Sequence, residues 1–156
     1  MEGSGKSTLS KTILLTHPNF ERLSIDAIIY EYHGLYGRDY SPSDYSRYQE
    51  DAAEVFHRRL IEFLREGKKN VILDRSFYSK ADREQFRKVI EEQGGRSVLV
   101  YLHAKRKDTL WKRIVNRRAK EINADSALDI TQDILDRYWE GFEAPAGEED
   151  LLIGLD

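Results

Sequence analysis

The sequence predicts an α/β domain of three layers, with helices on both faces of a mainly parallel sheet. Three observations point there. Strand-like and helix-like stretches alternate along the 156 residues, the order that builds crossover-connected parallel strands. The strand-like stretches are short and apolar, Asn70-Val-Ile-Leu-Asp74 being the clearest, as buried parallel strands are. No repeat and no linker interrupts the alternation, so residues 1–156 read as a single domain.

Each element has a local cause. Thr8 to Thr16 is apolar-periodic and ends before His17-Pro18, because proline disfavours helix at the residue preceding it. Phe20 to Ile25 reads as a strand closing on Asp26. From Ser43 to Arg65 the apolar residues Ala52, Ala53, Phe56, Leu60, Phe63 and Leu64 recur at helical spacing, and Gly67 stops the helix. After the strand Asn70–Asp74, Ser79 caps a helix running to Gln93 that Gly94-Gly95 ends. Ser97 to Leu102 is the next strand, followed by helices over Arg106 to Lys120 and Thr131 to Phe142. A final strand is predicted over Asp150 to Leu155.

Composition narrows the function classes. Hydrophobic residues are 40% and charged residues 34% of the chain, enough for a core beneath a charged surface. No apolar run approaches the length of about 18 residues that a spanning helix needs, so no membrane partner is expected. The N-terminus lacks the basic-then-apolar order of a secretory signal. Zero cysteines exclude disulfide frameworks, thiolate zinc sites and cysteine nucleophiles, and suit a cytoplasmic location. His17, His33, His57 and His103 lack metal-ligand spacing. A net charge of -3 argues against wholesale coating of nucleic acid, but the charge is uneven. Lys105 to Lys120 carries +7, and Glu121 onward carries -10. Two readings stay open: a solvated helix followed by a solvating tail, or a basic helix that handles polyanions.

The chemistry starts at Gly3-Ser4-Gly5-Lys6-Ser7-Thr8, which runs straight into a helical pattern. It fits the end of the phosphate-binding loop G-x-x-x-x-G-K-[ST]. There, backbone amides surround the phosphates, lysine meets the β/γ-phosphates and a hydroxyl meets Mg2+. Counting back from Gly5, the loop's first glycine falls one residue before Met1, and the apolar strand that normally precedes the loop is expected to be missing from this chain. Arg113 and Arg117 are four apart, so both point from one helix face towards a common anion, whereas Arg118 lies on another face. Asp26 and Asp74 fall at strand ends, where parallel sheets open their ligand crevice. Six of the nine tyrosines, Tyr30, Tyr32, Tyr36, Tyr40, Tyr45 and Tyr48, lie between the second strand and the long helix. They pack as an amphipathic surface or stack on a planar acceptor, with Arg38 holding a phosphate. Trp111 and Trp139 read as packing residues.

In their order, these landmarks resemble the small P-loop kinases of the zeta-toxin, chloramphenicol-phosphotransferase and polynucleotide-kinase type, an AAA-like ATP-binding kinase family. The matching residues are Gly3 to Thr8, Ser24-Ile25-Asp26, Val71-Ile72-Leu73-Asp74, Arg83, Arg113-x-x-x-Arg117 and Phe142-Glu143-x-Pro145. Arg75 departs from the pattern, since a small residue is commoner after the strand-closing Asp. The resemblance implies a P-loop NTPase fold of nucleoside-monophosphate-kinase-like architecture, first strand missing, with a lid over about residues 105–125. It implies ATP and Mg2+ as cofactors and transfer of the γ-phosphoryl to a hydroxyl of a small molecule or nucleic-acid end. Lys6, Arg113 and Arg117 would stabilise the moving phosphoryl group. Asp26 would orient or deprotonate the acceptor, Ser7 and Asp74 would serve the metal, and Tyr30 and Arg38 would contact substrate. A hydrolytic NTPase module and a catalytically silent truncated fragment are the alternative readings. The gap left by the strand is also a place for self-association.

Overall fold

The computed structural model describes residues 3–120 and 130–156, the side chains of Arg118 and Lys120 excepted. The elements are α1 (Lys6–Thr16), β1 (Phe20–Ser24), α2 (Ile25–His33), α3 (Tyr45–Glu66), β2 (Asn70–Asp74) and α4 (Lys80–Glu92). They continue with β3 (Val100–His103), α5 (Lys107–Lys120), α6 (Gln132–Gly141) and β4 (Leu151–Gly154). The fold is α/β with parallel strands. Among the described residues the strands form two pairs rather than one continuous sheet: β1 with β2 and β3 with β4, each parallel.

The chain divides into two compact units. The first holds Ser7–Arg75. Its core is Leu23 of β1, Ile28 and Ile29 of α2, and Ala52, Phe56 and Leu60 of α3, all buried. The buried α3 positions repeat every fourth residue, so one stripe of the helix faces inward while Ala53 stays outside. Gly67 ends α3 at φ 62, a left-handed cap that glycine adopts without steric cost. β1 runs beside β2 with Phe20 opposite Asn70 and Ser24 opposite Asp74.

Helix α2 corrects the sequence expectation. Ile25 and Asp26 do not close a strand; they form the first turn of a helix. Ser24 caps it, extended at φ -140 and ψ 132, with its Oγ accepting from Ala27 N. Ile28 and Ile29 then bury one face. The signal is short: a β-branched run after a strand reads as more strand until the cap and the stripe are weighed together. Gly34 closes α2 at φ 83, and the Asp39 carboxylate lies 2.5 Å from where a Cβ would stand.

The second unit holds residues 3–6, Ser76–Lys120 and Ile130–Asp156. Phe86, Ala104, Leu110, Ile114, Ile130 and Leu135 are its buried apolar residues. Ser79 caps α4 and Thr131 caps α6 with their side-chain oxygens. Lys107 of α5 pairs with Asp136 of α6 at 2.7 Å, so part of the basic run is balanced within the fold by the acidic segment that follows. No helix of the described residues is long and apolar enough to cross a membrane.

Candidate functional site

The phosphate-loop motif has the backbone its chemistry needs. Gly3 and Gly5 adopt φ 75 and φ 91, and α1 begins at Lys6. Left-handed residues alternating through a turn that opens a helix make an anion-binding concavity, to which the helix adds its positive end. Gly3 is required for a second reason. A Cβ there would stand 2.8 Å from the Leu110 carbonyl oxygen and 3.0 Å from Ile114 Cγ1, so the loop lies directly on α5. Ser4 beside it is buried.

Helix α5 also brings a cation to the loop. An Arg113 Nη2 lies 3.7 Å from the position of a Gly5 Cβ. The Arg113 side chain is exposed and, among the described residues, forms no ion pair. Arg117 follows one helical turn later and is half-buried. Arg118 lies in α5, but its side chain is outside the described residues, as is the 121–125 end of the expected lid. Thus Gly3, Ser4, Gly5, Lys6, Arg113 and Arg117 fall in one unit, and Arg113 in particular is brought against the loop.

Ser7, Thr8, Asp26, Tyr30, Arg38 and Asp74 fall in the other unit. Asp26 is half-buried in the first turn of α2, and Tyr30, exposed, stands one turn further along the same helix. Arg38 is spent locally: its Nε and Nη2 reach the Asp39 carboxylate at 3.0 and 3.1 Å. That hydrogen bond holds the Asp39 carboxyl below the usual carboxylate range and raises Arg38, and Asp39 also accepts from Leu35 N. The remaining tyrosines pack mostly on one another. Tyr48 stacks on His33 at 3.5 Å between ring centres, while Tyr40 meets Tyr48 edge-on at 5.1 Å and Tyr36 meets Tyr45 at 5.5 Å. Burial, and then the negative charge of Asp26, push the Tyr40 phenol up. Its buried hydroxyl has no hydrogen-bond partner among the described residues.

Asp74 ends β2 with its side chain 2% exposed. Arg22 of β1 reaches its Oδ2 through Nε at 2.9 Å and Nη2 at 2.6 Å. Sequence reasoning missed Arg22. The alternation Arg22-Leu23-Ser24 puts Arg22 and Ser24 on one face, but only the register of β1 against β2 sets that face opposite Asp74. Arg75, the residue that departs from the family pattern, lays its guanidinium over the buried Phe56 ring at 5.7 Å. Arg83 is buried in the ion pair with Glu148 and donates to the carbonyls of Phe77 and Glu143.

The donors present are of the kind that a nucleotide-borne Mg2+ uses. Among the described residues no three His, Cys, Asp or Glu side chains cluster as a metal cage. Mg2+ at phosphate sites takes one or two protein oxygens and fills the rest with water and phosphate. The Ser7 hydroxyl and the Asp74 carboxylate fit that modest requirement.

Comparison with known proteins agrees with this fold. A family model described as an AAA domain matches residues 1–145. A solved structure, that of a "putative kinase" from Chloroflexus aurantiacus, superposes with a TM-score of 0.71. The match covers 98% of this chain and 82% of that one at 20% sequence identity, a likeness of fold. No curated protein matches the chain at a significant level.

Proposed function

The chain belongs to the AAA domain family, and from that premise we propose that it is an ATP-binding, kinase-like phosphotransferase acting on a hydroxyl of a small molecule or nucleic-acid end. The observation that carries this reading is the loop Gly3–Gly5 leading into α1, with the Arg113 guanidinium set against Gly5. Phosphoryl transfer asks little covalent chemistry of a protein and much positioning and charge stabilisation. Lys6 and the loop amides hold the β/γ-phosphates. Arg113, and Arg117 one turn later, place positive charge where the equatorial oxygens of the transferring group develop negative charge. Asp26 accepts the proton of the attacking hydroxyl or orients it. Mg2+, bound with the nucleotide at Ser7 and Asp74, supplies further charge neutralisation. Tyr30 lies on the Asp26 face of α2 and serves the acceptor. The Arg38 fork is already engaged by Asp39, so a phosphate role for it requires that pair to open.

The reading also takes the edges of β2 and β3 that pair with no strand among the described residues as places where a strand of a second copy of the chain adds. A cytoplasmic location fits a cysteine-free chain that uses ATP.

The test is Mg-ATP binding by calorimetry, followed by radiolabel transfer to a panel of hydroxyl acceptors. Lys6→Ala is expected to abolish the binding. Asp26→Asn is expected to keep nucleotide affinity within a few-fold and to lower transfer by about 10²–10⁴, the worth of a general base. ATP turnover equal with and without any acceptor would identify a hydrolase instead. Equal affinity of wild type and Lys6→Ala would remove the loop from the reading.

A further inference from the structure

The structure offers a residue that none of the motifs contains. We propose that Arg22 is a positioning residue for Asp74: it occupies Oδ2 with two donors and leaves Oδ1 for the hydration shell of a nucleotide-borne divalent cation. The proposal rests on the phosphotransferase reading above and adds the group that sets how its metal is held.

Register brings the two side chains together. Ser24 stands opposite Asp74 at the end of the parallel pair, and Arg22, two residues earlier on β1, shares the face of Ser24. Arg22 therefore approaches the carboxylate along the sheet, from the strand interior. Its Nε and Nη2 both go to Oδ2, at 2.9 and 2.6 Å. Among the described residues no donor reaches Oδ1.

The Asp74 side chain is 2% exposed and that of Arg22 11%, so packing holds the pair in place while the spare oxygen keeps a narrow opening to water. That oxygen is not among the buried, unpartnered side-chain atoms of the described residues, so water reaches it at the strand end, where open α/β sheets meet their ligands. A guanidinium also stays charged at every working pH. Fixed against Oδ2, it repels a cation from direct ligation at that oxygen and favours contact through a water on Oδ1. Mg2+ keeps several waters in such sites. A partner that orients a metal-serving carboxylate in this way governs metal affinity without touching the metal.

The test measures ATP affinity by calorimetry across a Mg2+ titration for wild type, Arg22→Lys, Arg22→Gln and Asp74→Asn, with thermal melts of each. Arg22→Lys keeps the charge and loses the fork, and it carries the test should Arg22→Gln fail to fold. The expected result is a rise on the order of 10-fold in the Mg2+ concentration needed for half-maximal tightening of ATP binding. Metal-free ATP affinity stays at the wild-type value. Asp74→Asn shows the same loss, and adding Arg22→Lys to it changes nothing further, because the two act as one unit. A lower melting temperature with unchanged Mg2+ dependence overturns the proposal and makes the pair a strand clamp. Wild type that binds no ATP at any Mg2+ concentration overturns the phosphotransferase reading itself, a separate and recognisable result.

Discussion

Among the described residues each unit holds a buried arginine on a carboxylate, Arg83 on Glu148 and Arg22 on Asp74, and we assign the two pairs different roles. Arg83 of α4 sends Nε and Nη2 to a single oxygen of Glu148, just as Arg22 sends both to one oxygen of Asp74. Arg83 then spends Nη1 on the carbonyls of Phe77 and Glu143, and Arg87 bonds the Glu148 carbonyl at 3.1 Å. The bonds to Glu143 and Glu148 tie α4 to the segment after α6, and the bond to Phe77 holds the chain just before the helix. The spare oxygen of Glu148 is no burden, since that side chain is 14% exposed and water reaches it. The spare oxygen of Asp74 has a narrower outlet, its side chain being 2% exposed. One arrangement of three atoms serves as a staple in one unit and, on our proposal, as the support of a ligand-facing carboxylate in the other. What separates them is where the second carboxylate oxygen lies, at the end of a parallel strand for Asp74 and in the segment after α6 for Glu148.

The largest effect is expected at the staple. Arg83→Met leaves Glu148 without its counter-charge and frees two backbone carbonyls, which should cost about 3–5 kcal/mol as for other broken buried pairs. Urea denaturation measures the loss. The folded fraction should bind Mg-ATP as wild type does, and altered nucleotide affinity would erase the distinction between the two arginines.

A smaller effect comes from pH. The Arg83 hydrogen bond holds the Glu148 carboxyl below its ordinary value of 4.5. A carboxyl whose pKa is lower folded than unfolded adds stability above the unfolded value and loses it as pH falls through the folded one. Glu148→Gln should therefore be less stable than wild type at neutral pH and should lose less stability on acidification below 4.5. Parallel acid limbs for the two proteins, measured by denaturant titration at several pH values, would show that the pair contributes no charge-dependent stability.

The smallest effect is expected where neither arginine is involved. Lys88 and Glu92 pair at 3.8 Å on α4 with side chains 77% and 58% exposed. Lys88→Ala should change stability by about 0.5 kcal/mol or less. A larger loss would mean that exposed pairs on this helix matter more than their solvation allows.

How much of this was legible beforehand depends on the range of the interaction. Strand β2 matched its expected bounds Asn70–Asp74, and the caps Ser79 and Gly67 stand where the sequence placed them. These features are set by residues within one or two turns, so a local reading reaches them. Strand β3 was displaced, Val100–His103 against an expected start at Ser97, and α2 was missed, because short apolar runs serve either state until their neighbours choose. In the candidate site, the loop and the α5 arginines are contiguous or helically spaced and were legible. The engagement of Arg38 by Asp39 and of Arg75 by Phe56 was not.

The sequence by itself determined the alternation of elements, the glycine-rich turn ahead of α1, the i,i+4 spacing of Arg113 and Arg117, and the carboxylates Asp26 and Asp74. All of these follow from spacing along one chain. The tertiary structure alone decided that Arg113 lies against Gly5, that the described strands pair two by two, and that Arg22 meets Asp74 across a parallel register. A one-residue slip of β1 against β2 would turn Arg22 to the opposite face. Register is fixed by which side chains the core can bury, here Leu23 between Arg22 and Ser24, and that is a property of the packed whole rather than of any segment.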